Sequence, residues 1–218
     1  MPNGLSPKMS FITELSGKNC LVLGAGVTGR AVHNALLKFK ATSKIFDEKV
    51  SPDAEVVNEI PPGVNLVVVS PGWRLDHPVI VKLKSTGALI LSEIDLAWQI
   101  KQVLAPNQKW IALTGTNGKT TTIQMLESIF KSAKTNGVAC GNVGQTVIES
   151  VCADRPFDYL AIELSSFQIQ WSDLPRYQAV AILNIAEDHI DWHASFENYA
   201  AAKLKLLTHS DKLILNKS

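Results

Sequence analysis

Residues Leu113-Thr-Gly-Thr-Asn-Gly-Lys-Thr-Thr121 set a glycine-bounded turn and a Lys-Thr pair between two patterned segments, and they constrain the fold more than any other feature. Before them, Lys109-Trp-Ile-Ala-Leu-Thr114 reads as a buried strand. After them, Ile123, Leu126, Ile129 and Phe130 recur at the spacing of one helical face. A strand that turns through glycines into a helix leaves unpaired backbone N–H groups at the positive end of the helix dipole, which favours an anion. Residues Gly115, Thr116, Asn117, Gly118, Lys119, Thr120 and Thr121 therefore form a candidate loop for the phosphates of ATP or GTP. Lys119 is suited to neutralise the distal phosphates and the Thr120 hydroxyl to ligate Mg²⁺. The longer pattern G-x-x-x-x-G-K-[ST] would need glycine at position 113, which is Leu113, so this is a short Gly-Thr-Asn-Gly-Lys-Thr variant.

A second glycine turn, Gly24-Ala-Gly-Val-Thr-Gly29, follows the apolar Asn19-Cys-Leu-Val-Leu23 and opens a helix with Val32, Ala35, Leu36 and Phe39 inward. The next strand, Lys44-Ile-Phe46, ends at Asp47. This spacing fits the dinucleotide-binding fingerprint and, taken alone, predicts a nicotinamide enzyme, although glycines here also serve tight turns and close packing. A redox enzyme has no evident use for a Gly-Lys-Thr cradle, whereas an ATP-dependent ligase acting on a nucleotide-linked substrate needs one site for each nucleotide.

Further strands at Leu66 to Val69 and Ala88 to Leu91 lead into Ser70-Pro-Gly72 and Ser92-Glu93, and a helix runs to about Val103. After a proline-containing linker, Leu104-Ala-Pro-Asn-Gln108, strands follow at about Gly137 to Cys140, Tyr159 to Glu163 and Ala179 to Leu183. A helix from Phe196 to Leu207 and a strand at Lys212 to Leu215 complete the series. The alternation predicts an α/β chain with mostly parallel sheets. It divides into a Rossmann-like domain over residues 1–105 and a truncated P-loop ATPase-type α/β domain over residues 106–218.

Glu163 ends an apolar strand at the sheet's carboxyl edge, where ligands of open α/β sheets bind, so a magnesium-ligand role competes with that of an ordinary solvent-facing strand end. At the same edge lies the polar run Glu187-Asp-His-Ile-Asp-Trp-His193. His189 and His193 are four apart, but Ile190 stands where a zinc protease would carry glutamate, so the H-E-x-x-H pattern fails. On the following helix, Phe196, Tyr199, Ala200, Leu204 and Leu207 define an apolar face, and Lys203 projects roughly 20° from Phe196. Burial lowers a lysine pKa, and a neutral amine can take up CO₂ as a carbamate that would ligate metal. The alternative is a stem lying along the apolar face with its charge in water.

With 218 residues, 46% hydrophobic, the chain can bury a real core, and a net charge of +1 leaves no broad basic face for nucleic acid. Cys20, Cys140 and Cys152 are odd in number and lack C-x-x-C spacing, which predicts reduced, core-filling thiols in a cytoplasmic protein. Met1 to Asn19 has no apolar h-region, and no stretch approaches the length of a membrane span, so neither secretion nor membrane insertion is expected.

Taken together these residues resemble the Mur ligase family of peptidoglycan synthesis, over nearly the whole chain from Gly17. Gly-Thr-Asn-Gly-Lys-Thr is shared by Mur and folylpolyglutamate ligases. Gly-Ala-Gly-Val-Thr-Gly, Ser70-Pro-Gly72 and above all Glu163-Leu-Ser-Ser-Phe-Gln168 look like the D-glutamate-adding branch. The resemblance implies that Val27, Thr28, Asp47, Ser70 and Gly72 bind the uridine diphosphate substrate, with Asn142, Ser165 and Gln168 also on the substrate side, and that no NAD is held. It implies two Mg²⁺ ions, the first served by Thr120 and Glu163, the second by His189 and a carbamylated Lys203. Lys119, Glu163, His189 and Lys203 then form the catalytic set.

The implied reaction phosphorylates the carboxylate of UDP-N-acetylmuramoyl-L-alanine from ATP, after which the D-glutamate amine displaces phosphate. A cytoplasmic enzyme, monomeric at full length, is expected. Lys49 stands where an arginine is common in the family, and Trp192 replaces an arginine often seen after the Asp-His-x-Asp string. The family continues for roughly as many residues again and places its amino-acid site there, so these 218 residues alone are expected to be inactive. Another Mur or folylpolyglutamate ligase, or a nucleotide-binding module without catalysis, remains the competing expectation.

Overall fold

The computed structural model describes residues 7–216, in two compact units that meet in sequence at Pro106 and Asn107, inside the expected linker. The stretch before Pro7, part of the region read as lacking an h-region, lies outside the described residues. No described helix is long and apolar enough to cross a membrane.

The first unit runs α1 (Pro7–Leu15), β1 (Asn19–Leu23), α2 (Val27–Lys38), β2 (Thr42–Phe46), β3 (Val56–Val57), β4 (Leu66–Val69), α3 (Pro78–Ser85), β5 (Leu89–Ser92) and α4 (Glu93–Leu104). Its five strands are parallel in the order β3-β2-β1-β4-β5. Such strands are covered on both faces, which explains the unbroken apolar runs of β1 and β4. Leu23 pairs with both Phe46 and Val69, so Gly24, Asp47 and Ser70 leave the sheet side by side. The chain order reverses at β1, and a crevice opens there.

The second unit contains β6 (Lys109–Thr114), α5 (Lys119–Ser132), β7 (Gly137–Gly141), α6 (Val147–Val151), β8 (Tyr159–Glu163), α7 (Ser166–Trp171), β9 (Ala179–Ile182), α8 (Ile190–His193), α9 (Phe196–Leu204), a 3₁₀ turn (Lys205–His209) and β10 (Leu213–Leu215). The parallel order is β10-β9-β6-β8-β7. β6 is central, and Leu113 pairs with Glu163 on one side and Ala181 on the other. Ile123 and Phe130 of α5 pack on Leu113, Ala161 and Ala181.

Several expected details shift. Ile129 is 61% exposed, because α5 rests on the sheet along a narrower stripe than its apolar pattern suggests. Phe39 is half-buried, at the C-cap of α2. The helix starting at Phe196 ends at Leu204, itself exposed, and tightens into the 3₁₀ turn. β5 starts one residue later than expected, and Ser92 then caps α4 by accepting the Asp95 N–H at 3.0 Å. Cys20 and Cys140 are buried, as expected of core filler, and Cys152 is partly so; none of the three is in a disulfide, and burial pushes the Cys20 thiol up to about 11.

Two candidate nucleotide sites

In the second unit the loop between β6 and α5 is shaped by backbone geometry. Gly118 caps α5 with φ +80°, a conformation that suits glycine, and a Cβ on Gly115 would crowd Leu183 and the Asn117 carbonyl. Asn184, just after β9, clasps the loop: its Oδ1 accepts the N–H groups of Thr116 (3.1 Å) and Asn117 (2.9 Å), and its Nδ2 donates to the Asn117 carbonyl. The Thr116 hydroxyl lies 2.9 Å from the Tyr199 hydroxyl and accepts the Ala186 N–H. Lys119 Nζ donates to the Gly115 and Thr116 carbonyls, so the ammonium lies against the loop that the sequence identifies as the phosphate cradle.

At the foot of this loop Glu163 is buried, only 1% exposed. Its carboxylate accepts from the Thr120 hydroxyl at 3.0 Å and from Asn142 Nδ2 at 3.1 Å. The Asn142 N–H also donates to the Glu163 carbonyl. Both side-chain partners are neutral, and a buried carboxylate among neutral groups favours a cation. The two oxygens, hydroxyl and carboxylate, are hard donors of the kind Mg²⁺ takes, so Thr120 and Glu163 fit such an ion. Gly141 permits the arrangement, because a Cβ there would collide with the Glu163 carbonyl oxygen.

Lys203 is buried as its helical projection suggested. Its Nζ donates to the Gly115 carbonyl at 2.9 Å and to the Thr114 hydroxyl at 3.3 Å, and lies 4.8 Å from the Tyr199 ring centre. Burial, then repulsion from Lys119, pushes its amine down to about 8, against the pull of Asp188. His189 adopts a left-handed backbone (φ 52°); its ring is 3.5 Å from the Asp188 carboxylate and 6.4 Å, centre to centre, from Tyr199. Lys203 and His189 thus flank one tyrosine. Among the described residues no group of three or more His, Cys, Asp or Glu is arranged to hold a metal, so a second ion there would depend on the carbamate and on ligand oxygens.

His193 is buried, with Nε2 2.9 Å from the Ser166 hydroxyl. Burial, then His189 and Lys203, lowers its pKa. Ser165 and Gln168 form a capping box on α7: the serine hydroxyl accepts the Gln168 N–H and Gln168 Oε1 accepts the Ser165 N–H. Trp192, at one of the unusual positions, packs on Phe167 with ring centres 4.8 Å apart.

In the first unit a cleft of about 390 Å³ is lined by Gly24, Asp47, Glu48, Lys49, Ser70, Gly72 and three residues of the following segment, Trp73, Arg74 and His77. Asp47 accepts the Ala25 N–H through Oδ2 and the Lys49 N–H through Oδ1, both at 2.8 Å. Desolvation raises its pKa, but the N–H groups of Ala25, Lys49 and Val50 together hold the carboxyl below its usual range. Val27 and Thr28 form the first turn of α2, Val27 strongly exposed.

Sequence reasoning missed the clasp by Asn184, the Tyr199–Thr116 contact and the wall of Trp73 and His77. Asn184 carried a signal, being the first polar residue beyond a strand that neighbours β6. The others depend on tertiary contacts that no local pattern encodes.

A strand, a short Gly-Lys-Thr loop and a buried carboxylate on the neighbouring strand define the second unit as a P-loop-type nucleotide-binding domain, preceded by a Rossmann-like one. The chain belongs to the Mur ligase family, with residues 113–218 matching the Mur ligase middle domain. A UDP-N-acetylmuramoylalanine--D-glutamate ligase from Thermobifida fusca is 42% identical over 211 residues, covering 88% of this chain and 45% of the relative. The protein of the same name from Mycobacterium tuberculosis strain H37Rv is 40% identical over 207 residues, 88% of this chain and 41% of its own length. The chain therefore spans less than half the length of these relatives. Among solved structures, the UDP-N-acetylmuramate:L-alanyl-gamma-D-glutamyl-meso-diaminopimelate ligase of Neisseria meningitides aligns with TM-score 0.59 at 16% identity, over 93% of this chain and 72% of that one. The UDP-N-acetylmuramate-alanine ligase of Thermotoga maritima gives 0.51 at 18%, over 91% and 48%. These two likenesses are of fold.

Proposed function

We propose that the full-length protein is a cytoplasmic ATP-dependent amide ligase of peptidoglycan precursor synthesis that adds D-glutamate to UDP-N-acetylmuramoyl-L-alanine. The observation that carries the reading is the buried Glu163 carboxylate held against Thr120 at the foot of the Gly115–Gly118 loop. The names of the relatives supply the substrates. ATP transfers its γ-phosphoryl group to the substrate carboxylate, giving ADP and an acyl phosphate. The D-glutamate amine then attacks the acyl carbon, loses a proton and expels phosphate.

Both partners of the first step are anionic, so charge neutralisation dominates the barrier. Lys119 is assigned to the transferring phosphoryl group. Thr120 and Glu163 are assigned to a first Mg²⁺; His189 and Lys203, as its carbamate, to a second. Bound Mg²⁺ supplies Lewis-acid charge neutralisation at the phosphate oxygens. Asn142, Ser165 and Gln168 are assigned to the muramoyl side of the substrate. In the first unit Val27, Thr28, Asp47, Ser70 and Gly72 bind the uridine diphosphate moiety in preference to NAD. The 218 residues by themselves bind nucleotide but do not form the amide.

Calorimetric titration of the chain with UDP-N-acetylmuramoyl-L-alanine and with NADH tests the first-unit assignment. Binding of the UDP compound without a response to NADH is expected; tight NADH binding alone would overturn it.

A further inference from the structure

The cleft of the first unit combines a buried polar floor with a braced aromatic wall. Ser70 Oγ is buried and without a hydrogen-bond partner among the described residues. It lies 2.9 Å, and the Trp73 Nε1 3.3 Å, from where a Cβ on Gly24 would stand, so the missing side chain keeps the space between them open. Both Asp47 oxygens are engaged by backbone N–H groups and fix the turns on either side.

Trp73 is held from two directions. Its ring centre is 6.0 Å from that of Phe46, and His77 meets it edge-on at 4.6 Å. His77 is itself fixed: Nδ1 accepts the Val79 N–H at 3.3 Å as the cap of α3, and Nε2 is 3.5 Å from the Glu48 carboxylate. An indole merely covering the surface needs no such bracing. A rigid flat wall beside a hydroxyl lacking a partner suits a planar ring that is apolar on its face and polar at its edge.

We propose that Trp73 determines nucleobase recognition in this cleft, forming the wall on which the pyrimidine of a uridine nucleotide packs, with Ser70 Oγ at the floor serving the polar edge of the nucleoside. The inference rests on the reading of the cleft as the UDP-substrate site. Phe46 and His77 are positioning residues, acting through the indole.

The test compares wild type, Trp73→Phe and Trp73→Ala for binding of UDP and of ribose 5-diphosphate, which lacks the base, with thermal midpoints measured to establish folding. Trp73→Ala should weaken UDP about tenfold or more and leave ribose 5-diphosphate unchanged. Trp73→Phe should stay within about threefold of wild type for UDP, since a smaller wall remains, and should lose the quenching of tryptophan emission that UDP causes in wild type. Equal UDP affinity in wild type and Trp73→Ala, or equal losses for both ligands, would overturn the role of Trp73 while leaving the uridine site standing. Failure of the wild-type chain to bind UDP at all would overturn both.

Discussion

The Thr120 hydroxyl donates to the Glu163 carboxylate across 3.0 Å, joining the first turn of α5 to the end of β8. In β6, between the two, Leu113 is paired with Glu163, so the register of the sheet places the carboxylate beside the loop. Glu163→Gln keeps the shape and much of the hydrogen bonding but removes the charge. It should lower ATP affinity about tenfold or more in the presence of Mg²⁺ and have little effect in its absence. Titrations with and without Mg²⁺ distinguish the two, and an unchanged Mg²⁺ dependence would remove Glu163 from metal binding.

The Asn184 side chain makes three hydrogen bonds to Thr116 and Asn117. Asn184→Ala should cost about 1–3 kcal/mol of stability and loosen the loop. Denaturant midpoints report the first effect. Faster amide exchange at Thr116 and Asn117 reports the second, and unaltered exchange would contradict the clasp.

Gly141 has φ +115°, and a Cβ there would strike the Glu163 carbonyl oxygen. Gly141→Ala should destabilise by about 1–3 kcal/mol or more and displace the strand end that carries Glu163. A thermal midpoint equal to wild type would show that this edge yields more readily than its packing suggests.

Much of this was legible in sequence, for physical reasons. β1, β6 and β8 are short apolar runs of the kind buried parallel strands require, and each gives way to a glycine or polar residue at the sheet edge: Gly24 after β1, Gly115 after β6 and Glu163 at the end of β8. Lys203 was legible because a charged residue on an apolar helical face has few resting places; its burial bears out the projection. Ile129 misled because an apolar pattern does not say how wide a stripe the sheet will cover. Ser165 and Gln168, singled out by resemblance, serve a local cap that their S-x-x-Q spacing also encodes. Trp73 was illegible, since its neighbours Phe46 and His77 are brought to it by the tertiary fold.

Lys203 should leave a signature in the pH dependence of stability. Its pKa falls from 10.5 to about 8 on folding, so between those values the unfolded chain binds more protons than the folded one. Stability contributed by this group therefore rises as pH increases from about 8 towards 10.5, and the burial penalty is fully present below about 8. Wild type should gain stability relative to Lys203→Met across that window. Parallel curves for the two proteins would contradict the shifted pKa, and with it the supply of neutral amine that carbamylation requires.

Activation of a carboxylate by ATP is tested most directly by isotope transfer. UDP-N-acetylmuramoyl-L-alanine labelled with ¹⁸O in its carboxylate is incubated with ATP, Mg²⁺, D-glutamate and a polypeptide of the relatives' length that contains these 218 residues. The predicted result is amide product together with inorganic phosphate carrying one carboxylate oxygen, because the acyl phosphate's bridging oxygen leaves with phosphorus. Phosphate without label, or label retained wholly in the unreacted acid while ATP is consumed, would contradict the proposed ligase chemistry.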